Sequence, residues 1–241
     1  MNTDNGSSFA DRSYSGGSAY GHYVQWTDKI STDISGTKLS DSWGTNDGTL
    51  NGGFTTGVSG VGGKEAVIFN GSDGYVSVPD ISAPQSITIS AWIKWSGATD
   101  EKQVICSGGY DGSTTELELL INTDESWSWK TYDGSNHGIV SKGSVPSSRW
   151  LFVTAVYNNN VGIYRLFVDG VLRHTSSDST GPANTENSAK WAIGASSQPT
   201  IQKYFEGEID EVRIYSEALT QQQIWNLYNI GRNANWGYTR S

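Results

Sequence analysis

The chain has 241 residues, 35% of them apolar with 29 Gly besides, a make-up that fits a globular domain and excludes a disordered one. Charged residues are only 17%, against about 25% in an average domain, which argues against coiled coils and long charged helices. The formal net charge of −9 provides no cationic surface for phosphate backbones or anionic lipid, so neither nucleic acid binding nor membrane insertion is expected. No apolar run approaches the roughly 20 residues a membrane helix needs.

In chain order, residues 1–21 are Gly, Ser, Asn and Asp with scattered aromatics and read as a flexible arm. They lack the basic start and apolar core of a signal peptide. That fits a mature fragment, or a protein released by another route, such as a virion protein freed by lysis. Glu65–Phe69 and Tyr75–Val78 flank Asn70-Gly-Ser-Asp-Gly74 and read as a hairpin. Gln85–Trp95 alternates Ile87, Ile89, Ala91, Ile93 and Trp95 against a more polar set, the period of a strand with one buried face.

Cys106 is the single cysteine, which excludes an intramolecular disulfide and reads as a small buried residue. Trp127 and Trp129 are two apart and share one strand face, with Lys130 and Tyr132 on the other. Trp150–Tyr157 is apolar on both faces, as a central strand covered on both sides would be. Tyr164–Val168 and Val171–Thr175 flank Asp169-Gly170, a strong two-residue hairpin signal because both turn positions need positive φ. Glu208–Tyr215 reads as the last strand. Thr220 and Gln223 form a capping box, after which Ile224, Leu227 and Tyr228 fall on one helix face and Gly231 supplies a stop. Many strands and one short C-terminal helix predict two antiparallel sheets packed face to face. The regions are an arm (1–21), a sandwich (22–231) and a tail (232–241) carrying Trp236 and Tyr238.

Five segments in this order carry a family likeness: Asp41–Gly53, Ala66–Asp80, Ser86–Trp95, Arg149–Leu172 and Phe205–Asn229. Together they resemble the laminin-G-like branch of the concanavalin A-like lectin/glucanase superfamily. The strand Gly-Glu-Ile-Asp-Glu-Val-Arg-Ile-Tyr (207–215), followed by Ala218-Leu219 and a helix, is the most specific part. The resemblance implies an all-β, jelly-roll-like sandwich of the kind found in adhesins, phage structural proteins and appendages of carbohydrate-active enzymes.

Retaining glucanases in the superfamily need carboxylates at i, i+2 and i+4 of one strand, with the reacting pair about 5–5.5 Å apart. Glu116 and Glu118 are followed by Leu120, and Glu208 and Asp210 by Val212, so neither pair continues to a third carboxylate two residues on. There is no Gly-x-Ser-x-Gly elbow and no phosphate-binding loop. A non-enzymatic protein is expected.

Calcium takes about six to eight oxygen ligands, which Asp/Asn/Gly loops supply. The best candidates are Asp41, Asn46 and Asp47 joined by Asp210, since the resemblance implies that the early loop and the Ile-Asp-Glu strand lie close together. The simpler alternative is that these residues serve turns through side-chain bonds to the backbone.

Sugars present flat C–H faces and hydroxyl rims, which aromatic rings and polar side chains recognise. The chain has 10 Trp, 12 Tyr and 6 Phe. Trp127 and Trp129, with Tyr110, Asp111 and Asn136 nearby in sequence, form the candidate ligand surface, with core packing of the tryptophans as the alternative. The reading is thus a non-catalytic carbohydrate-binding or adhesion module, extracellular or displayed on a cell or virion surface, with possible structural calcium. Its alternative is a structural subunit of a virion or filament, assembling as a homo-oligomer or larger array through its terminal arms.

Overall fold

A computed structural model describes residues 22–31, 37–41, 45–63, 65–79, 81, 85–110, 117–132, 135–140, 144–181, 190–197 and 200–234. The proposed arm, residues 1–21, and the end of the proposed tail, 235–241, lie outside the described residues. No described helix is long and apolar enough to cross a membrane.

The strands are β1 (His22–Ser31), β2 (Lys38–Asp41), β3 (Gly48–Asn51), β4 (Phe54–Ser59), β5 (Glu65–Asn70), β6 (Tyr75–Val78), β7 (Ile87–Trp95) and β8 (Gln103–Tyr110). They continue as β9 (Leu117–Ile121), β10 (Trp127–Tyr132), β11 (Asn136–Val140), β12 (Trp150–Asn158), β13 (Ile163–Val168), β14 (Val171–Ser177), β15 (Lys190–Ile193) and β16 (Glu206–Tyr215). Helix α1 (Gln221–Ala234) follows.

The strands form two antiparallel sheets. In the first, β16 pairs with β7, then β12, β13 and β14 follow; on its other edge β16 pairs with β5, itself paired with β4. The second runs β2-β3-β6-β15-β8-β9-β10-β11. Strand β1 joins them, its first half on β16 and its second half on β2. Between the sheets lies one large apolar core, which takes Ile87, Ile89, Ala91, Ile93 and Trp95 from β7 and Leu151, Val153, Ala155 and Tyr157 from β12.

A smaller core covers the outer face of the first sheet. Trp92, Phe152, Val156 and Phe167 pack there against Ile224, Leu227 and Tyr228 of α1. This is why β12 is apolar on both faces and why β7 is buried along almost its whole length. The capping box forms as expected: Gln223 Oε1 accepts the Thr220 N–H at 2.7 Å, and Thr220 Oγ1 accepts the Gln223 N–H at 3.4 Å. The helix does not stop at Gly231 but continues to Ala234. Glycine serves a close approach there, since a Cβ would lie 2.5 Å from Trp92 Nε1.

The Asp169-Gly170 hairpin is present, with φ of 53° and 73° at its two turn residues. The expected hairpin across Asn70–Gly74 is not. Strand β5 pairs with β4 and β16, whereas β6 pairs with β3 and β15, so the loop carries the chain from one sheet to the other. Its local chemistry is still that of a turn: Asn70 Oδ1 accepts the N–H groups of Ser72, Asp73 and Gly74.

Candidate functional site on the outer face of the second sheet

The outer faces of the two sheets differ in kind. That of the first is apolar and lies under α1. That of the second carries a straight row of directly opposed residues across seven strands: Thr49, Ser77, Ala192, Ser107, Glu118, Lys130 and Gly138. Neighbouring strands are about 4.8 Å apart, so the row is a floor of mostly small and polar residues running across the sheet. The alternate residues of the same strands, including Leu50, Val76, Ile193, Leu119, Trp129 and Ile139, fill the core.

A segment after β15 stands on this floor and divides it. Its described residues, 194–197 and 200–205, are tied to β8 by four bonds: Gly194 N–H to the Ile105 carbonyl, Ser107 Oγ–H to the Ala195 carbonyl, Ser197 N–H to Ser107 Oγ, and Val104 N–H to the Lys203 carbonyl. From it Tyr204 leans one way and Lys203 the other. Tyr204 meets Tyr75, the ring centroids 6.4 Å apart. Beside this pair, Asn51 is opposed to Tyr75 and donates to the Thr49 carbonyl at 2.7 Å and to Ser77 Oγ at 3.0 Å. Both tyrosines are half-buried.

On the other side Lys203 reaches Glu118, a carboxylate only 1% exposed. Lys203 Nζ lies 2.9 Å from Oε1 and 3.3 Å from Oε2, Lys130 Nζ lies 2.9 Å from Oε2, and Ser196 Oγ donates to Oε1 at 2.6 Å. Burial by itself would raise the Glu118 carboxyl; the two ammonium groups and the Ser196 hydroxyl outweigh it and hold the group below the usual carboxylate range. A general acid needs the opposite shift. Lys203 also has φ of 56°. The left-handed region costs a residue other than glycine about 1 kcal/mol.

The residues singled out in the sequence fall as follows. Trp127 and Trp129 do share a face, but it is the inner one, and they are 5% and 0% exposed. Their partners in β9, Ile121 and Leu119, are core residues, and Trp129 Nε1 donates to the Val156 carbonyl of the opposite sheet at 3.1 Å. They are core, not a ligand platform. Lys130 and Tyr132, which alternate with them, face outward. Asn136 is exposed and directly opposed to Tyr132 on that outer face. Tyr110 ends β8 in register with Lys190, and Asp111 lies outside the described residues. Cys106 is buried as expected, and burial pushes its thiol up to about 12.

The carboxylates among the calcium candidates accept backbone N–H groups. Asp47 Oδ1 accepts the Asp41 N–H at 2.9 Å, and Asp41 Oδ2 accepts the Asn46 N–H at 3.2 Å, closing one loop. Asp210 instead accepts the N–H of Val61 and of Glu211, each at 2.7 Å. Among the described residues no three His, Cys, Asp or Glu side chains converge as a metal site. Carboxylate oxygens of this set are engaged by backbone N–H groups, which weighs against a calcium cage among the described residues. A bound cation would raise the melting temperature by mass action. The expected result is the same melting temperature in calcium and in chelator; an upward shift with calcium would contradict this.

The face residues other than Asn136 were missed in the sequence reading because they come from seven strands and one connecting segment. One signal was available: Glu118 stands alone in Leu-Glu-Leu-Leu-Ile, and a carboxylate in so apolar a strand must be paired if buried.

The family model of the concanavalin A-like lectin/glucanases superfamily, laminin G type, matches residues 70–225, well over half of the chain. No curated protein matches the chain in sequence. Among solved structures, domain 4 of an extracellular arabinanase from Geobacillus stearothermophilus, in complex with arabinotriose, is similar at 21% identity and a TM-score of 0.71, covering 87% of this chain and 98% of that one. The receptor-binding domain of botulinum neurotoxin type G is similar at 11% identity and a TM-score of 0.65, covering 87% of this chain and 51% of that one. The binding domain of Paraclostridial mosquitocidal protein 1 is similar at 14% identity and a TM-score of 0.67, covering 88% and 52%. The chain spans about half the length of these two toxin domains. At such identities the likeness is one of fold. With strand order, register and family match in agreement, this chain belongs to the laminin-G-like family of the concanavalin A-like lectin/glucanases superfamily.

Proposed function

We propose that the protein is a non-catalytic carbohydrate-binding module, working outside the cell or on a surface, and that it binds a glycan on the outer face of its second sheet. The observation that carries this reading is the contrast between the two outer faces. One is apolar and lies under α1; the other is a polar floor with a tyrosine pair at one end. Tyr75 and Tyr204 offer ring surface for stacking on a sugar. Asn51, Ser77 and Thr49, mutually bonded and so held in place, border the rings with amide and hydroxyl groups. The arabinotriose complex of the similar arabinanase domain supports a saccharide as the ligand class. Asn136 remains a candidate at the far rim of the same face.

The test is calorimetric titration with arabinotriose and binding to a glycan array, using wild type and Tyr75→Ala/Tyr204→Ala. An aromatic contact contributes about 0.5–1.5 kcal/mol, so the double variant is expected to bind on the order of tenfold or more weakly with its melting curve little changed. Binding by the double variant as tight as wild type would remove the tyrosine pair from the site. Absence of binding to any saccharide would overturn the reading itself.

A further inference from the structure

We propose that Lys130 and Lys203 form an anion-recognising subsite on this face, so that the ligand is an acidic saccharide, one carrying a carboxylate. The inference rests on the carbohydrate-binding reading and names the ligand class within it.

Among the described residues, Glu118 contributes one negative charge and two ammonium groups stand against it, a local surplus of one positive charge on a chain whose formal net charge is −9. One lysine would suffice to neutralise a buried carboxylate. The oxygens of Glu118 are already occupied: Oε1 by Lys203 and Ser196, Oε2 by Lys130 and Lys203. Each ammonium has three N–H donors, and Glu118 has no capacity for all six. The lysine side chains are 21% and 22% exposed while Glu118 is 1% exposed, so what the surface presents here is cationic and the anion that orients it lies beneath.

The backbone adds a second observation. Lys203 holds a left-handed φ of 56°, where glycine would be relaxed. A lysine is retained at a position that favours glycine, and its side chain goes to this cluster.

The location fits a ligand shared with the tyrosine pair. Lys203 and Tyr204 are adjacent in the chain and lie on either side of the segment that divides the face. A short oligosaccharide seated on Tyr75 and Tyr204 can therefore place an acidic residue at the ammonium pair. Preformed donors, already desolvated on the Glu118 side, are oriented before the ligand arrives, which lowers the ordering cost of binding.

The experiment compares matched pairs: sialyllactose with lactose, and trigalacturonic acid with its methyl ester, by calorimetry at low and at high salt. Wild type is expected to prefer the acidic member by at least about tenfold at low salt, with a preference that shrinks as salt screens the charge. Lys203→Gly deletes the ammonium while easing the backbone, and Lys130 still pairs Glu118. It is expected to lose most of the preference and leave affinity for the neutral member within about twofold. Lys130→Gln is the second variant, and the wild-type pairs and their salt dependence decide the matter even if neither variant folds. Equal affinity for both members of each pair, with binding intact, would overturn the anion subsite and leave the carbohydrate-binding reading standing. No binding of any saccharide would overturn both.

Discussion

Trp129→Ala is expected to lose about 3–5 kcal/mol of stability, the range for truncating a fully buried tryptophan. Against a net stability of about 5–15 kcal/mol for an ordinary domain, that brings the protein close to unfolding. The reason is its position. Trp129 is 0% exposed, packs edge-on against Tyr164 with centroids 6.1 Å apart, and reaches across the core to bond the Val156 carbonyl. Alanine leaves a cavity between the sheets and also removes the donor to that carbonyl. Trp129→Phe fills much of the space and loses mainly the bond, a loss of about 1 kcal/mol beside whatever gap remains. Urea denaturation of the two variants checks both values. A Trp129→Ala protein that melts with wild type would return the residue to the surface and reopen its role as a ligand platform.

The second large effect concerns Glu118. Removing both of its cations, as in Lys130→Met/Lys203→Met, leaves a buried carboxylate without a counter-charge, which costs about 3–5 kcal/mol. Adding Glu118→Leu to that pair is expected to recover most of the loss, because an apolar trio no longer needs charge compensation. The three substitutions are coupled, so their separate effects will not add. The dependence on pH distinguishes this account from a simple packing defect. In the wild type the lysines hold the Glu118 carboxyl below its ordinary value of 4.5, so this contribution is fully present above that value and is lost as the pH falls through the folded one. In the double variant burial is opposed by the Ser196 hydroxyl alone and favours the neutral acid; stability is then lost as the pH rises. The gap between the two proteins should therefore narrow on acidification below about pH 4.5. A gap independent of pH would mean that lost packing of the lysine stems, rather than the unpaired buried charge on Glu118, accounts for the destabilisation.

The same two sites separate what is written locally from what is not. The alternation Trp127-Ser-Trp129-Lys130 is a property of any strand, and it placed both tryptophans on one face correctly. Which face meets the core depends on β9 and on the opposing sheet, through contacts such as Trp129 to Val156 across 27 residues of chain. The capping box at Thr220 and the Asp169-Gly170 turn were legible because every bond in them closes within a few residues. The Asn70 turn shows the limit of that rule. Its side chain caps three N–H groups as a local reading requires, yet the strands on either side of it belong to different sheets, and pairing is decided by partners far away in sequence.

Sequence by itself determined the class of the protein: an all-β sandwich with one C-terminal helix, its family signature concentrated in residues 207–215. Glu206, Glu208 and Asp210 do stand at i, i+2 and i+4 of β16, but Glu208 is paired with Lys94 and Asp210 accepts the backbone N–H groups of Val61 and Glu211. Only the tertiary structure decided the proposed binding face. Tyr75, Asn51, Ser77, Glu118, Lys130, Lys203 and Tyr204 come from separate stretches of chain, and no local propensity favours their meeting. They are brought together because antiparallel register sets each residue opposite a specific partner, and because burial of the apolar alternates leaves this polar set on the outer face.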